Sequence, residues 1–285
     1  MTPDPVFADL ALARRLERAE GHANARFVEA RARVAPASGA TWIEVAGAQA
    51  LFDGATSPVT QTFGLGLFEA VGVAELEAIE RFFGERGAPV SHELCPLAGP
   101  GLAALLAARG YRPVEHSSVL VRTLPLDQAE PASASAILVR PIRADEHERW
   151  AEVAARGWSF AQASAEGWSA TPELAEFVRD LAPVLTQRAE GVSFLALRNG
   201  EALGAGALCL HGDVALLAGA CTVPEARRQG AQRALLDARL AYAAAHGCDL
   251  AALCAQPGSA SQRNAERHGF RVAYTRTNWQ RALTS

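Results

Sequence analysis

The residues best placed to do chemistry lie in "CTVPEARRQGAQRALLDARL", residues 221–240. An apolar stretch that reads as a strand over 214–223 ends at Pro224, and apolar positions at 231, 234, 235, 238 and 242 repeat with helical spacing. The intervening "EARRQG" is therefore a strand-to-helix loop. Successive amides in such a loop, with the positive end of the helix behind them, form a cradle for an anion. Arg227, Arg228 and Arg233 add charge and forked donors that suit phosphate oxygens. Gly230 lets the backbone approach a ligand that any side chain would push away. The bland alternative is an Arg-rich helix start on a solvated surface. It is the weaker reading, because positive charge at a helix N-terminus is unfavourable without an anion. The chemistry these residues point to is the binding of a diphosphate.

Other reactive types are less informative. Cys95, Cys209, Cys221, Cys248 and Cys254 are odd in number, lie in apolar stretches and form no CxxC pair. They read as free thiols of a reducing cytoplasm, ahead of disulfides or a zinc site, and no metal is expected. Cys221 and Cys254 as acyl-carrying nucleophiles lack a neighbouring His, so small core residues is the better reading of both. His211, beside a turn, and His246, near a helix end, read as surface residues. Asp213, His147 and Glu166 stand as equal candidates for a general base, and the sequence singles out no catalytic residue among them. Trp158 and Trp168, in "GWSFAQASAEGWSA", fit a core or the roof of an acceptor site equally well.

The elements that must position the loop follow from pattern. "AILVRPIR" reads as a strand, "ADEHERWAEVAARGW" as a helix, and "TPELAEFVRDLAPVLTQ" as a second helix with Thr171 as N-cap and Pro172 at N1. "SFLALRNGEALGAGALCLHGDVALLAGACTV" gives three strands with turns at Asn199-Gly200 and Gly212-Asp213. After the loop come the helix, closed at Gly247, the buried strand "CDLAALCA", a short helix over "SASQRNAERH" and final strands from Gly269. This is a mixed α/β sheet. The 285 residues suit two domains of moderate size. The Pro-, Ala- and Ser-rich "LPLDQAEPASASA", residues 124–136, reads as a linker. The first half echoes the second: "RGYRPVEHSSVLVRTL" from Arg109 aligns with "HGFRVAYTRTNWQRAL" from His268, an offset of 159 that also puts Cys95 on Cys254. The chain reads as two copies of one fold.

Composition narrows the class. All 27 basic residues are Arg, which with heavy Ala and Gly use fits a GC-rich bacterial genome. A net charge of -4 argues against broad nucleic-acid binding. No apolar run approaches the roughly 18 residues a bilayer span needs, and the N-terminus lacks a secretory pattern, so a cytoplasmic protein without membrane attachment is expected.

The pattern of Arg227, Arg228, Gln229, Gly230 and Ala231 after a "V-P" strand end resembles the acetyl-CoA loop of the GNAT superfamily of N-acetyltransferases. "NAERHGF", residues 264–270, resembles that family's second CoA-binding helix and closing Gly-Phe, and the order of elements agrees. The resemblance implies two tandem GNAT-like domains: a degenerate copy at 1–125, a linker at 126–136, and an acetyl-CoA-binding copy at 137–285. It implies that Cys221, Thr222 and Val223 run beside the pantetheine arm. Amides of Arg228, Gln229, Gly230, Ala231, Gln232 and Arg233 then hold the diphosphate, and Ser261 and Asn264, three apart on one helix face, line the other wall. Acetyl-CoA would be the cosubstrate, and the partner a small-molecule or peptide amine acetylated by direct transfer; a homodimer is compatible with the sequence. Two positions depart from the family. Gln232 stands where Gly or Ala is preferred, and Ala265 where a Tyr general acid is common, so another acid, a water, or an unprotonated thiolate must serve. In the first copy the offset puts Phe68, Val71 and Val73 on Arg227, Gly230 and Gln232, with Glu69 and Glu75 nearby, a loop that would repel a diphosphate. The rival readings are an acyl-CoA sensor without catalysis and a structural pair of domains without CoA.

Overall fold

The computed structural model describes residues 6–124, 137–159 and 172–282. The linker expected at 126–136, together with Glu166, Trp168 and the N-cap expected at Thr171, lies outside them. Helix α1 (Leu10–Val34) starts where the Asp9 carboxylate accepts from the Leu12 amide at 2.8 Å. Strands β1 (Thr41–Val45), β2 (Ala48–Phe52) and β3 (Gln61–Phe63) form an antiparallel meander. Helix α2 (Val73–Gly84) then leads to β4 (Val90–Leu94), parallel to β3, and α3 (Pro100–Ala108) leads to β5 (Arg112–Thr123). The second half runs β6 (Leu138–Pro141), α4 (His147–Ser159), α5 (Pro172–Thr186), the antiparallel meander β7 (Gly191–Arg198), β8 (Glu201–His211) and β9 (Val214–Thr222), then α6 (Ala231–Ala245), β10 (Leu250–Ala255), α7 (Ala260–Arg267) and β11 (Arg271–Arg281). The class is the expected mixed α/β. Asn199 and Gly200 both have positive φ, 51° and 84°, as a two-residue hairpin of the sheet's own twist requires. No helix among the described residues is long and apolar enough to cross a membrane.

The repeat is visible in the elements themselves. Adding the offset of 159 to the bounds of α2, β4, α3 and β5 gives 232–243, 249–253, 259–267 and 271–282, against the observed 231–245, 250–255, 260–267 and 271–281. The chain packs as two compact units, one of residues 1–122 with 252–285 and one of residues 123–251. These units differ from the two copies, because the end of the second copy belongs to the first unit. The expected final strands are one long strand, β11, inserted between β4 and β5 and antiparallel to both. Ser117 and Arg276, equivalent positions of the two copies, lie directly opposite in this register, so β5 and β11 pair about a local two-fold axis at that point.

Each unit has its own core. In the first, Phe83, Leu76 and Ile79 of α2 pack with Leu106 of α3 and Tyr111. On the other face of its sheet, under α1, Arg276 is 1% exposed and its Nε lies 3.0 Å from Glu17, which is wholly buried; Arg276 also bonds Glu20. The Tyr274 hydroxyl donates to Glu17 at 2.8 Å. In the second unit, Trp150 of α4 is buried against β7 and β8, with its indole N–H donated to the Phe194 carbonyl at 3.1 Å.

Candidate functional site

Strand β9 is buried over its first four residues and opens from Ala218 to Ala220. The opening coincides with a break in pairing. Ala207 faces Ala218 and Ala205 faces Cys221, so Gly219 and Ala220 together oppose the single residue Gly206. This is a bulge, and Gly219 takes the positive φ, 60°, that its first position favours. Beyond Thr222 the chain passes through a 3-10 turn, Pro224–Ala226, to Arg228 with φ 61° and Gly230 with φ 89°.

Gly230 is the N-cap of α6, and neither a capping side chain nor an acid in the first turn serves the helix start. The first-turn amides have no intrahelical acceptor by construction. A Cβ built on Gly230 meets nothing within 4 Å, so the space over the helix start is open. Arg228, Gln229, Gln232 and Arg233 are exposed around it, and Ala231 is buried beneath. Gln229 is held on both sides: it receives hydrogen bonds from Arg198 at 2.5 Å on its side-chain oxygen and 3.3 Å on its carbonyl, and its amide nitrogen donates to the Glu225 carbonyl at 2.7 Å. Thr222 reaches the Gln232 side chain at 3.5 Å. Arg198, from β7, is a fourth cation beside the loop that sequence spacing did not reveal.

The equivalent helix start in the first copy is built differently. Glu75 folds back to accept from the Gly72 amide at 2.8 Å, and hydrogen bonds from the backbone of Gly72 and Glu75 hold its carboxyl below the usual range. The chain's own carboxylate takes the place of an external anion. Phe68, aligned with Arg227, lies under the Arg18 guanidinium at 4.0 Å from its ring centre.

The remaining expected residues are placed as follows. Thr222 is half-buried and Val223 buried, and Cys221 is buried with its sulfur against the Val153 and Ala154 carbonyls of α4 at 3.8 Å. Burial pushes the Cys221 thiol up to about 11. All five cysteines are free. Ser261 and Asn264 lie on the exposed side of α7, in the first unit, where Ala265 is buried. Asp213 sits in the turn before β9, at the opposite end of that strand from the loop, and His147 is the first residue of α4. His246 is exposed and stacks on Tyr242. Trp158, at the end of α4, is 38% exposed. Val223 and Glu225 also line a cleft of about 450 Å³ with Arg149, Glu152 and Arg156 of α4, whose walls carry charges of both signs.

Comparison with known proteins assigns a family to this part of the chain. Residues 153–270 match the Acetyltransferase (GNAT) family and form a GNAT acetyltransferase domain. The fold is similar to that of a GCN5-related N-acetyltransferase from Kribbella flavida, at 20% identity and a TM-score of 0.56 over 91% of this chain and 96% of that one. It is similar also to a tandem GNAT protein from the clavulanic acid biosynthesis pathway, at 16% identity and a TM-score of 0.55 over 78% and 72% of the two chains. A third similar structure, a GCN5-related N-acetyltransferase from Sphaerobacter thermophilus, has 19% identity and a TM-score of 0.52 over 79% and 74%. No curated protein matches the sequence.

Proposed function

We propose that this chain, carrying a GNAT acetyltransferase domain at residues 153–270, uses acetyl-CoA as cosubstrate and moves its acetyl group directly to an amine of a small molecule or peptide. The observation that carries the reading is the contrast between the two helix starts. The start of α6 has an open, uncapped ring of amides from Arg228 to Arg233 with arginines around it, whereas the start of α2 is closed by Glu75. A diphosphate fits the first and is repelled by the second. The first copy then binds no CoA.

In this reading the diphosphate lies over Gly230, and the pantetheine arm runs back along Val223, Thr222 and Cys221 toward the bulge. Positioning a neutral amine against a polarised thioester supplies much of the rate. The alternative, a protein that binds acyl-CoA without turning it over, draws support from the buried Ala265 and from the lack of a carboxylate along β9.

Thermal unfolding with and without acetyl-CoA, beside a Gly230→Glu variant, tests the binding. A ligand specific for the folded state adds about 2.7 kcal/mol at a hundredfold excess over its dissociation constant. The wild type gains this stabilisation and the variant does not; no gain with acetyl-CoA or CoA would remove the proposal. Thiol release with a panel of amines then separates the enzyme from the sensor.

A further inference from the structure

Arg239 of α6 is 3% exposed, and among the described residues no carboxylate pairs with it. Its guanidinium is satisfied by backbone carbonyls. Nε donates to Leu235 in its own helix at 3.1 Å, and Nη1 donates to Ala207 of β8 at 3.0 Å and to Ala218 of β9 at 3.3 Å. Ala207 and Ala218 are the cross-strand pair that closes the ladder immediately before the bulge. The side chain runs beneath Gly206, where an added Cβ would touch it at 3.4 Å, and Gly206 is the residue that Gly219 and Ala220 jointly oppose. A buried cation is costly unless something offsets its lost hydration. Here it is spent on one spot, the broken end of the β8–β9 ladder. Burial lowers its pKa to about 10, so it stays charged at neutral pH.

The Ala218 carbonyl and the Gly219 amide belong to the same peptide group. A charge-assisted hydrogen bond to the carbonyl polarises that group and strengthens its N–H as a donor. Gly219 is the first residue of the bulge, and β9 is accessible there. An arm that runs back along β9 from the loop through Val223, Thr222 and Cys221 reaches the bulge next, at Ala220 and then Gly219, with its thioester end. We infer that Arg239 is a positioning residue for acetyl transfer: it fixes the bulge and polarises the Ala218–Gly219 peptide toward the thioester carbonyl, without touching the substrate. The inference rests on the reading of the loop as an acetyl-CoA site. It also accounts for an arginine where a helix face packed on a sheet ordinarily carries an apolar residue.

The test is isotope-edited infrared spectroscopy of acetyl-CoA carrying a ¹³C carbonyl, bound to wild type, Arg239→Met and Arg239→Lys, with CoA affinity measured in parallel by calorimetry. In the wild type the bound carbonyl band falls below its position in free acetyl-CoA. In Arg239→Met most of that displacement is lost and thioester turnover falls at least about tenfold, while CoA affinity stays within about twofold. Arg239→Lys, with charge but no fork, lies between, and it carries the test alone if the Met variant fails to fold. A folded variant that has lost the guanidinium but keeps the full band displacement overturns the inference, even if it is less stable, because a prop for the core alone would leave the carbonyl unaffected. Failure of the wild type to bind either ligand is a different result and removes the acetyl-CoA reading itself.

Discussion

Gly157 of α4 lies against Cys221 of β9 so closely that a methyl group at position 157 would come within 2.5 Å of the Cys221 sulfur and 2.7 Å of its Cβ. The contact sets how near α4 approaches the strand assigned to the pantetheine arm. Gly157→Ala is expected to destabilise the protein by about 1–3 kcal/mol through overpacking. Combining it with Cys221→Ala restores only part of the loss, because the Cβ remains. Chemical denaturation of the two single variants and the double variant measures this coupling, and simple additivity would show that the Cys221 sulfur is not what the added methyl group meets.

Cys221 invites a reading as an acyl carrier, since it borders the loop. Its burial and the elevation of its thiol to about 11 leave almost no thiolate at neutral pH. Cys221→Ala is therefore expected to keep wild-type thioester turnover with any accepted amine. Rapid-quench measurement of a single turnover should show no acyl-protein in the wild type; accumulation of one would reverse the assignment.

Arg228 holds a positive φ that an L-residue adopts at a cost of roughly 1–2 kcal/mol. Strain of this kind in a binding loop is kept when the geometry serves a ligand. Arg228→Gly relieves the strain but gives back about 0.5–1 kcal/mol of backbone entropy, so unfolding without ligand should change by no more than about 1 kcal/mol, toward stability. Loss of a charge-assisted phosphate contact is expected to weaken acetyl-CoA binding about tenfold or more. Calorimetric titration beside urea denaturation distinguishes the two effects, and unaltered affinity would place Arg228 outside the site.

Local pattern in the sequence reaches part of this architecture and stops short of the rest. Gly230, the helix behind it, the hairpin at Asn199-Gly200 and the 159-residue repeat were legible, because each is written in spacing or in turn chemistry within a few residues. The site's supports were not. Arg198 meets Gln229 across 31 positions, and Arg239 looks like one more charged residue of an amphipathic helix. Gly219, a glycine inside an apolar run, was the one local hint of the bulge. The place of β11 between β4 and β5 is set by pairing between distant segments, which period-2 patterning within a strand does not encode. The buried Glu17–Arg276 pair escapes for the same reason, its partners being far apart in the chain.

That pair carries a pH dependence with a definite sign. Burial, reinforced by the negative charge of Glu20 and Glu93, outweighs the attraction of Arg276 and the Tyr274 hydrogen bond, and raises Glu17 from 4.5 to about 7. The folded protein thus holds this proton more tightly than the unfolded chain. Stability from Glu17 is fully present below pH 4.5 and is lost as pH rises toward 7, with a slope of at most about 1.4 kcal/mol per pH unit. His92, on the opposite face of the same sheet, is driven down to about 3 by burial and slopes the other way over an overlapping range. The raw pH profile therefore mixes the two, and the difference between wild type and Glu17→Gln isolates the carboxyl. The amide mimics the protonated acid, so the wild type should lose stability relative to the variant between pH 4.5 and 7 and hold a constant difference above. Urea midpoints across that range measure it, and parallel profiles would mean that Arg276 keeps Glu17 ionised throughout.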